Sequence, residues 1–328
     1  MDYKNIITVV IPCYKVSKTI LSVLENIDMN IQNIIIVDDY CPEGSGQLVL
    51  DSTNDKRISV IFHKKNMGVG GAVKTGYVKA IDLNSDIVIK IDGDGQMDTS
   101  LLFDLIRPLL SLEADYTKGN RFYSPEYLKE MPIIRLVGNG ILSFINKFVS
   151  GYWTIMDPTN GFTAIHINAL RHLPLEKIDN RYFFENDILF RLNTIRAKVM
   201  DIPMVALYGC EKSNLSICKT VLQFPLKYLN RFFKRILYNY YIRDFNIASL
   251  EIFFGVILFN FGVFYGGFNW IHSASKNMDT PSGTIILSST SLLIGFQLLL
   301  SALNYDMRNI PSEPLSRLSI LRKFKVKL

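Results

Sequence analysis

A cluster of carboxylates follows an apolar run in the first third of the chain. Asp92, Asp94 and Asp98 lie within seven residues. Like charges at this spacing repel one another, so a cation has to offset them. Asp92 and Asp94, with the amide oxygen of Gln96, are suited to Mg²⁺ or Mn²⁺, which take one or two carboxylates and further oxygens from a bound diphosphate. The spacing therefore favours a divalent-metal site, and Asp98 is expected to cap the next helix.

An acidic turn and a calcium-binding loop are the two alternatives to the metal site. An acidic turn in which glycine supplies a positive φ is compatible with the same residues. A calcium-binding EF-hand loop requires glycine at its sixth position and glutamate at its twelfth, where this chain has Met97 and Phe103. The EF-hand interpretation is therefore disfavoured, and the acidic turn stays open.

The segments around the cluster alternate between strand and helix. Apolar, β-branched runs predict strands, and helical spacing of apolar residues predicts the helices between them. The predicted strands are residues 6–12, 33–39, 58–63, 86–92 and 114–120, with a later one at 198–204. Repeated strand–helix units with apolar strands indicate an α/β fold with a mostly parallel central sheet, covered on both faces.

Polar residues follow the first, second and fourth predicted strands. They are Pro12-Cys13-Tyr14, Asp38-Asp39 and the Asp92 cluster. Ligands of parallel sheets bind beyond the carboxyl ends of the strands, so these residues are expected to face one crevice. Ser17 is a possible cap for the helix that follows the first strand.

The C-terminal third has a different composition. Residues 219–245 interleave Lys and Arg with Phe, Tyr and Leu, and two apolar stretches follow at about 247–269 and 284–303, with Glu251 as their one charged residue. Each stretch is long enough to cross a bilayer core of about 30 Å. Gly262 and Gly266 have the GxxxG spacing that lets two helices pack closely.

The charges beside these stretches predict their orientation. Lys- and Arg-rich segments flank the pair, while the short loop between them holds one Lys and one Asp. The positive-inside rule then places both termini in the cytoplasm of a multi-pass protein of the inner (plasma) membrane. We expect a catalytic domain at 1–215, interfacial helices at 216–245, a transmembrane hairpin at 246–304 and a basic tail at 305–328. Two buried helices of a soluble protein are the alternative.

Composition and charge narrow the possible partners and the compartment of the protein. The chain has 328 residues, 48% of them hydrophobic, and a net charge of +6. The basic residues cluster beside apolar stretches, which favours an anionic membrane surface over nucleic acid. Four cysteines without ligand spacing predict reduced thiols in a cytosolic compartment, and residues 6–12 do not have the pattern of a signal peptide.

Seven motifs, in order, carry a resemblance to a known family. They are VVIPCYK, IIIVDDYCPEGSG, NMGVGGAVKTG, IDGDGQMD, KGNRF, MDPTNGF and FFENDILF. Together they resemble family 2 glycosyltransferases with the glycosyltransferase A fold, and most of all the polyprenyl-phosphate sugar transferases, such as dolichol-phosphate mannose synthase and undecaprenyl-phosphate glucosyltransferases. Residues 40–44 depart from the Gly-Ser-x-Asp-Gly that the family commonly has after its double Asp, and the QxxRW stretch of processive polysaccharide synthases is absent.

The resemblance implies roles for individual residues. The implied donor-binding residues are Pro12, Tyr14, Asp39, Gly68, Lys74, Asp92, Lys212 and Ser213. The implied catalytic residues are Asp94, Arg121, Arg135, Asp157, Glu185 and Asp187. Among these, Arg121 and Arg135 would meet phosphate, and residues 157–162 would form a loop that closes on the sugar. Glu185 and Asp187 occupy the place of the base in relatives that use a hydroxyl acceptor.

The resemblance also implies an activity. It indicates an inverting, metal-dependent transfer of one sugar from a nucleotide-diphosphate sugar, UDP favoured over GDP, to a polyprenyl phosphate for cell-envelope or surface glycan assembly. A homo-oligomer is possible, and no nucleic-acid partner is expected. Transfer to a hydroxyl of a lipid-linked saccharide is an alternative, as is a non-catalytic membrane scaffold with a degenerate sugar-nucleotide domain.

Overall fold

Strands and helices alternate along the first half of the chain, in a computed structural model that describes residues 5–128, 131, 133–205 and 217–318. The strands are β1 Ile7–Cys13, β2 Asn33–Asp38, β3 Ile58–Phe62, β4 Ile87–Lys90, β5 Tyr116–Asn120, β6 Thr163–His166 and β7 Val199–Pro203. The helices are α1 Ile20–Glu25, α2 Ser45–Ser52, α3 Val69–Asp82, α4 Leu102–Leu110, α5 Ile133–Ser150, α6 Ile167–His172, α7 Phe184–Thr194, α8 Ile217–Leu237, α9 Ile247–Ser275 and α10 Ser282–Arg308.

The strands form one mixed sheet in the order β3-β2-β1-β4-β6-β5-β7. Strand β1 lies parallel to both β2 and β4, while β6 runs antiparallel to its neighbours β4 and β5. The predicted α/β class and mostly parallel sheet are confirmed. Strand β6 was not predicted from the sequence, because four residues that follow a turn motif give too short a run to show strand periodicity.

The core lies mainly between the central strands and the helices α1 and α4. Apolar residues of β1, β2 and β4 are buried, since helices cover the sheet. Gly76 of α3 lies so close to the sheet that an added Cβ would be 2.2 Å from the Val10 side chain. This packing fixes the strands whose carboxyl ends carry the polar residues.

Two caps test the sequence predictions about helix starts. The Asp98 side chain accepts a hydrogen bond from the Ser100 amide at 2.9 Å and caps the turn before α4, as predicted. Helix α1 instead begins after Thr19, without a side-chain cap, and the Ser17 hydroxyl donates to Glu43. The prediction of a Ser17 cap was therefore wrong, because an acidic acceptor outside the helix takes that hydroxyl.

The chain divides into two compact units. One contains Met1–Phe232 and Pro311–Leu328, and the other contains Phe233–Ile310. We call them the catalytic unit and the hairpin unit. The described part of the catalytic unit includes a return segment, residues 311–318, in which the Leu315 and Ser316 amides donate to the buried Asp115 carboxylate at 2.8 and 2.9 Å.

The hairpin unit consists mainly of α9 and α10 packed side by side. Both helices are long and apolar enough to cross a membrane. A Cβ added at Gly262 would lie 2.7 Å from the Leu292 nitrogen, and one at Gly266 would lie 2.9 Å from the Ser288 Cβ. The close packing predicted from the GxxxG spacing is confirmed. Near the ends of the hairpin, Arg235 and Asp306 form a buried ion pair at 2.6 Å.

Candidate active site

The carboxyl ends of β1, β2 and β4 meet at one edge of the sheet. Cys13 pairs with Asp38 across β1 and β2, and Val10 pairs with Lys90 across β1 and β4. Tyr14, Asp39 and Asp92, which follow these strands, therefore share this edge, as the sequence predicted. Strand β5 runs the same way as β4, since both are antiparallel to β6, so Arg121 joins them.

A buried lysine holds the first carboxylate of the acidic cluster. Lys90 is fully buried, and its Nζ lies 2.8 Å from Asp92 and 3.3 Å from Glu185. Burial alone lowers the pKa of the Lys90 ammonium, but the charges of Asp92 and Glu185 raise it above its usual value. Burial also raises the pKa of Glu185, and Lys90 offsets part of that rise. Lys90 is therefore the counter-charge of two site carboxylates.

The rest of the acidic cluster forms a tight turn. The Gln96 amide donates to Asp94 at 3.1 Å, and the Asp92 amide lies 3.3 Å from the Met97 sulfur. The described residues contain no group of three or more His, Cys, Asp or Glu side chains that could hold a metal ion. Two carboxylates at a strand end nevertheless fit Mg²⁺ or Mn²⁺, because these ions use one or two protein carboxylates when a diphosphate supplies other oxygens.

The loop before β6 lies directly against this turn. A Cβ added at Gly161 would be 2.3 Å from both Asp92 Oδ2 and Lys90 Nζ, so only glycine fits there. At the start of the loop, the buried Asp157 carboxylate accepts hydrogen bonds from Arg121 Nε at 2.6 Å and Nη2 at 2.7 Å. Burial raises the pKa of Asp157, but the Arg121 guanidinium holds it below the usual value. Arg121 is thus fixed in orientation by a carboxylate.

Asp39 is held by a network of donors. Its carboxylate accepts from the Met67 and Gly68 amides, both at 2.7 Å, and from His63 Nδ1 at 2.8 Å. Gly68 has a φ of +88°, and an added Cβ would lie 2.5 Å from the Asn180 carbonyl oxygen. The loop after β3 is therefore built around Asp39, and both of its oxygens already accept a hydrogen bond.

A groove opens beside this loop. It has a volume of about 430 Å³. Its lining residues are Lys65, Asn66, Met67, Asp179, Asn180, Arg181 and Lys227. Three of them are cationic and one is acidic, so the groove suits an anion.

Helix α7 separates the two acidic residues that the sequence could not tell apart. Glu185 lies 3.3 Å from Lys90 Nζ, whereas Asp187 accepts from Arg231 Nε of α8 at 2.6 Å. Asp187 also accepts from the Asp179 amide at 2.8 Å. Glu185 therefore shares Lys90 with Asp92 of the acidic cluster, and Asp187 binds α8.

Among the four remaining predicted site residues, the structure describes the side chain of Lys74 alone. Lys74 Nζ donates to the Ile178 carbonyl at 2.8 Å, and burial lowers the pKa of this lysine. Arg135 lies in the first turn of α5, but its side chain is outside the described part of the structure. Lys212 and Ser213 also lie outside the described residues.

Comparison with known proteins establishes the family. Residues 8–173 match the model of the family described as "Glycosyl transferase family 2". The chain belongs to glycosyl transferase family 2. The matched segment contains β1 to β6 and therefore the acidic cluster, Lys90, Asp39 and the Arg121–Asp157 pair.

Two curated relatives are named for lipid-phosphate acceptors. The UDP-N-acetylglucosamine–dolichyl-phosphate N-acetylglucosaminyltransferase of Methanococcus voltae is 30% identical over 62% of this chain and 86% of that enzyme. The undecaprenyl-phosphate mannosyltransferase of Micrococcus luteus is 24% identical over 52% of this chain and 70% of that enzyme. Among solved structures, the UDP complex of glucosyl-3-phosphoglycerate synthase from Mycobacterium tuberculosis covers 71% of this chain and 80% of its own, with 18% identity and a TM-score of 0.51. This similarity supports the glycosyltransferase A fold.

The transferase contains further candidate residues that were not predicted from the sequence. Lys90 and His63 were not singled out, although a lysine inside the apolar run of β4 is a recognisable signal, because lysine is rarely fully buried without a partner. Asp201 of β7 was also missed. Burial raises its pKa to about 7, and its Oδ1 is buried without a hydrogen-bond partner in the described structure. No sequence pattern pointed to Asp201.

Proposed function

We propose that this transferase moves one sugar from a uridine-diphosphate sugar to the phosphate of a polyprenyl lipid. The observation that carries the proposal is the match over 86% of the length of an enzyme named for a UDP-sugar donor and a dolichyl-phosphate acceptor. Two helices that are long and apolar enough to cross a membrane support a lipid acceptor. The cationic groove beside the Asp39 loop supports an anionic donor.

The residues at the sheet edge suit this reaction. Asp92, Asp94 and Gln96 would hold a divalent ion, which when bound supplies positive charge to the leaving diphosphate. Lys90 holds the Asp92 carboxylate in place through an ion pair at 2.8 Å. Asp157 fixes the Arg121 guanidinium at the same edge, where a guanidinium can bind phosphate.

The acceptor chemistry fits the carboxylates that surround the site. A phosphate is already an anion near neutral pH, so its attack on the anomeric carbon needs little help from a base. Glu185 then serves to orient the site through Lys90, and in-line attack inverts the anomeric centre. Transfer to a saccharide hydroxyl would instead require a base such as Glu185.

We further propose that both chain ends lie on the cytoplasmic side of the plasma membrane. The segments before and after the hairpin, residues 5–232 and 311–318, belong to one compact unit, which two crossings permit and a single crossing would not. The basic residues beside the hairpin support the cytoplasmic side. The domain limits, a homo-oligomer and the roles of Lys212 and Ser213 stay predictions.

Membranes that contain the transferase test this function directly. They are incubated with labelled UDP-sugars, polyprenyl phosphate and Mg²⁺ or Mn²⁺. We expect a lipid product that mild acid cleaves, since a sugar-1-phosphate ester is labile. A product that resists mild acid would refute the phosphate acceptor and favour the hydroxyl alternative.

Asp94→Ala tests the metal assignment in the same membranes. We expect metal-dependent turnover to fall at least about 100-fold, because loss of a positioned charge at a transferring group costs about 2.7 kcal/mol or more. Asp98→Ala is the matched control, since this carboxylate caps a turn. Equal turnover of the two variants would contradict the metal assignment.

A further inference from the structure

The backbone of Asp157, the residue whose carboxylate orients Arg121, has an unusual conformation. Its φ of +51° lies in the left-handed region, which few residues other than glycine occupy. Such a backbone persists where surrounding contacts fix it. The Asp157 amide donates to the Ser143 hydroxyl at 3.1 Å. The preceding amide, that of Met156, donates to Asp201 Oδ2 at 2.9 Å. Asp201, a residue of β7, is therefore connected to the orientation of Arg121.

The register of the sheet places Asp201 against the loop that carries Asp157. Strands β5 and β7 pair in parallel, with Lys118 opposite Asp201. Because side chains alternate along a strand, Lys118 and Asn120 project from the same face of the sheet as Asp201. Lys118 Nζ donates to the Asn160 carbonyl of the loop at 2.8 Å. The loop therefore covers the face from which Asp201 projects.

One oxygen atom of Asp201 holds the chain next to both members of the Arg121–Asp157 pair. Besides the Met156 amide, Asp201 Oδ2 accepts from Asn120 Nδ2 at 2.9 Å. Asn120 and Met156 directly precede the two members of the pair in the chain. The same carboxylate oxygen therefore ties together the segments that carry the ion pair. If this acceptor is weakened, the two segments can separate, and the guanidinium moves with them.

Charged groups on three neighbouring segments act on the Asp201 carboxylate. They are Lys118 of β5, Lys147 of α5 and Asp157 of the loop. Burial raises the pKa of the Asp201 carboxyl to about 7, the two lysines lower this pKa, and Asp157 raises it. Its second oxygen, Oδ1, is buried and has no hydrogen-bond partner in the described part of the chain. An ionised carboxylate accepts hydrogen bonds more strongly than a neutral carboxyl group, so the hold on the loop increases with pH.

We propose that Asp201 is a positioning residue, which orients the Arg121 guanidinium by holding the segments that carry the Arg121–Asp157 pair. This role rests on the proposed function, in which Arg121 binds a phosphate of the reaction. Asp201 acts through the pair and has no part in the transfer step itself. A carboxylate that only stabilised the sheet would change the free energy of unfolding, but its effect on turnover would not depend on Arg121.

The pH dependence of turnover in membranes that contain the full chain tests this role. Asp201→Asn keeps an oxygen that can accept both hydrogen bonds, but its side chain cannot ionise. We expect the kcat/KM of the unmodified protein, divided by that of the variant, to rise at least about fivefold from about pH 5.5 to about pH 8.5, because charge-assisted hydrogen bonds are stronger than neutral ones. Ionisation of the acceptor phosphate is common to both proteins and cancels in this ratio.

Asp82→Asn is the matched control, since this carboxylate is exposed on α3. Its ratio should not change with pH, and a ratio for Asp201→Asn that is equally constant would overturn the positioning role. The unmodified protein separates this outcome from a failure of the proposed function. If it forms no lipid product that mild acid cleaves, both proposals are overturned, whereas product formation with a constant ratio overturns the positioning role alone.

A double-mutant cycle measures whether Asp201 acts through Arg121. Arg121→Gln removes the guanidinium but keeps an amide that can donate to the buried Asp157 carboxylate. At about pH 8.5, we expect Asp201→Asn to lower kcat/KM at least about fivefold when Arg121 is present and less than about twofold in the Arg121→Gln background. Melting temperatures show that each variant is folded. Equal losses in the two backgrounds would overturn the positioning role.

Discussion

At the scale of single residues, charge balance organises the candidate active site. Asp92, Asp157 and Asp187 each have a cationic partner within 2.8 Å. Lys90 lies at the end of β4, and Arg121 follows β5 directly. The fold therefore places both cationic partners at the carboxyl ends of strands. Repulsion within the acidic cluster is therefore partly offset by a lysine before any ion binds.

Lys90→Met tests this counter-charge. We expect the free energy of unfolding to fall by about 3 kcal/mol, because breaking a buried ion pair leaves uncompensated carboxylates. Turnover should also fall at least about tenfold, since Asp92 loses the group that holds it. Thermal unfolding and turnover are compared with Lys56→Met, whose lysine is exposed. Matching values for the two variants would contradict this role.

Asp201 gives a prediction of pH dependence. Burial raises its pKa to about 7, so the folded protein binds a proton more tightly here than the unfolded chain. The stability from this proton is complete below the ordinary carboxyl pKa and is lost as pH rises through the raised value. The side chain of Asp201→Asn cannot ionise, so this variant should not lose stability over the same pH range.

Melting temperatures between pH 4 and pH 8 measure the effect of Asp201. We expect the difference between Asp201→Asn and the unmodified protein to grow in favour of the variant as pH rises. Titrating groups that do not interact with Asp201 are common to both proteins and cancel in the difference. A difference that is constant with pH would contradict the raised pKa.

At the scale of elements, α7 connects the active site to α8. One side of α7 presents Glu185 to Lys90, and another presents Asn186 and Asp187 to Tyr228 and Arg231. Phe183, just before α7, packs edge to face against Phe224 and Tyr228. The basic, aromatic helix before the hairpin is therefore bound to the same helix that carries a site carboxylate.

Arg231→Met tests the attachment of α8. We expect the free energy of unfolding of the catalytic unit to fall by about 2 kcal/mol, because buried Asp187 loses a charge-assisted hydrogen bond. Lys234→Met is the control, since this lysine is exposed on the same helix. A double-mutant cycle with Asp187→Asn should give a coupling energy above about 1 kcal/mol. Additive effects would show that the pair does not hold α8.

At the scale of the whole molecule, the hairpin is an insertion in the catalytic unit. The chain leaves that unit after Phe232 and returns at Pro311. The Asp115 carboxylate accepts from the Ser316 amide of the return segment and from the Lys198 amide, both at 2.9 Å. It therefore connects the starts of β5 and β7 to the segment after the hairpin. The segment that follows the hairpin in the chain is thereby anchored to the catalytic unit.

Asp115→Asn tests this anchor. The new amide group would face donors that need an acceptor, and we expect a loss of about 2 kcal/mol and faster trypsin cleavage at Arg317. Glu113→Gln, at an exposed site two residues earlier, is the control. Cleavage at the control rate would mean that other contacts hold the return segment.

The sequence alone determined the class of fold and indicated where the candidate site lies. Strand periodicity predicted six of the seven described strands, and the polar residues after β1, β2 and β4 predicted the crevice. The length of two apolar stretches predicted the hairpin helices. These features are local, because side-chain hydrophobicity and spacing specify a strand or helix without reference to distant residues.

The tertiary structure decided which charges meet. Lys90 and Glu185 are 95 residues apart, and so cannot be paired from spacing. The separate partners of Glu185 and Asp187 and the network around Asp39 depend in the same way on how elements pack. Pair energies fall steeply with distance and rise with burial, and folding alone sets both quantities. For that reason the candidate residues follow from the sequence, while their partners follow from the structure.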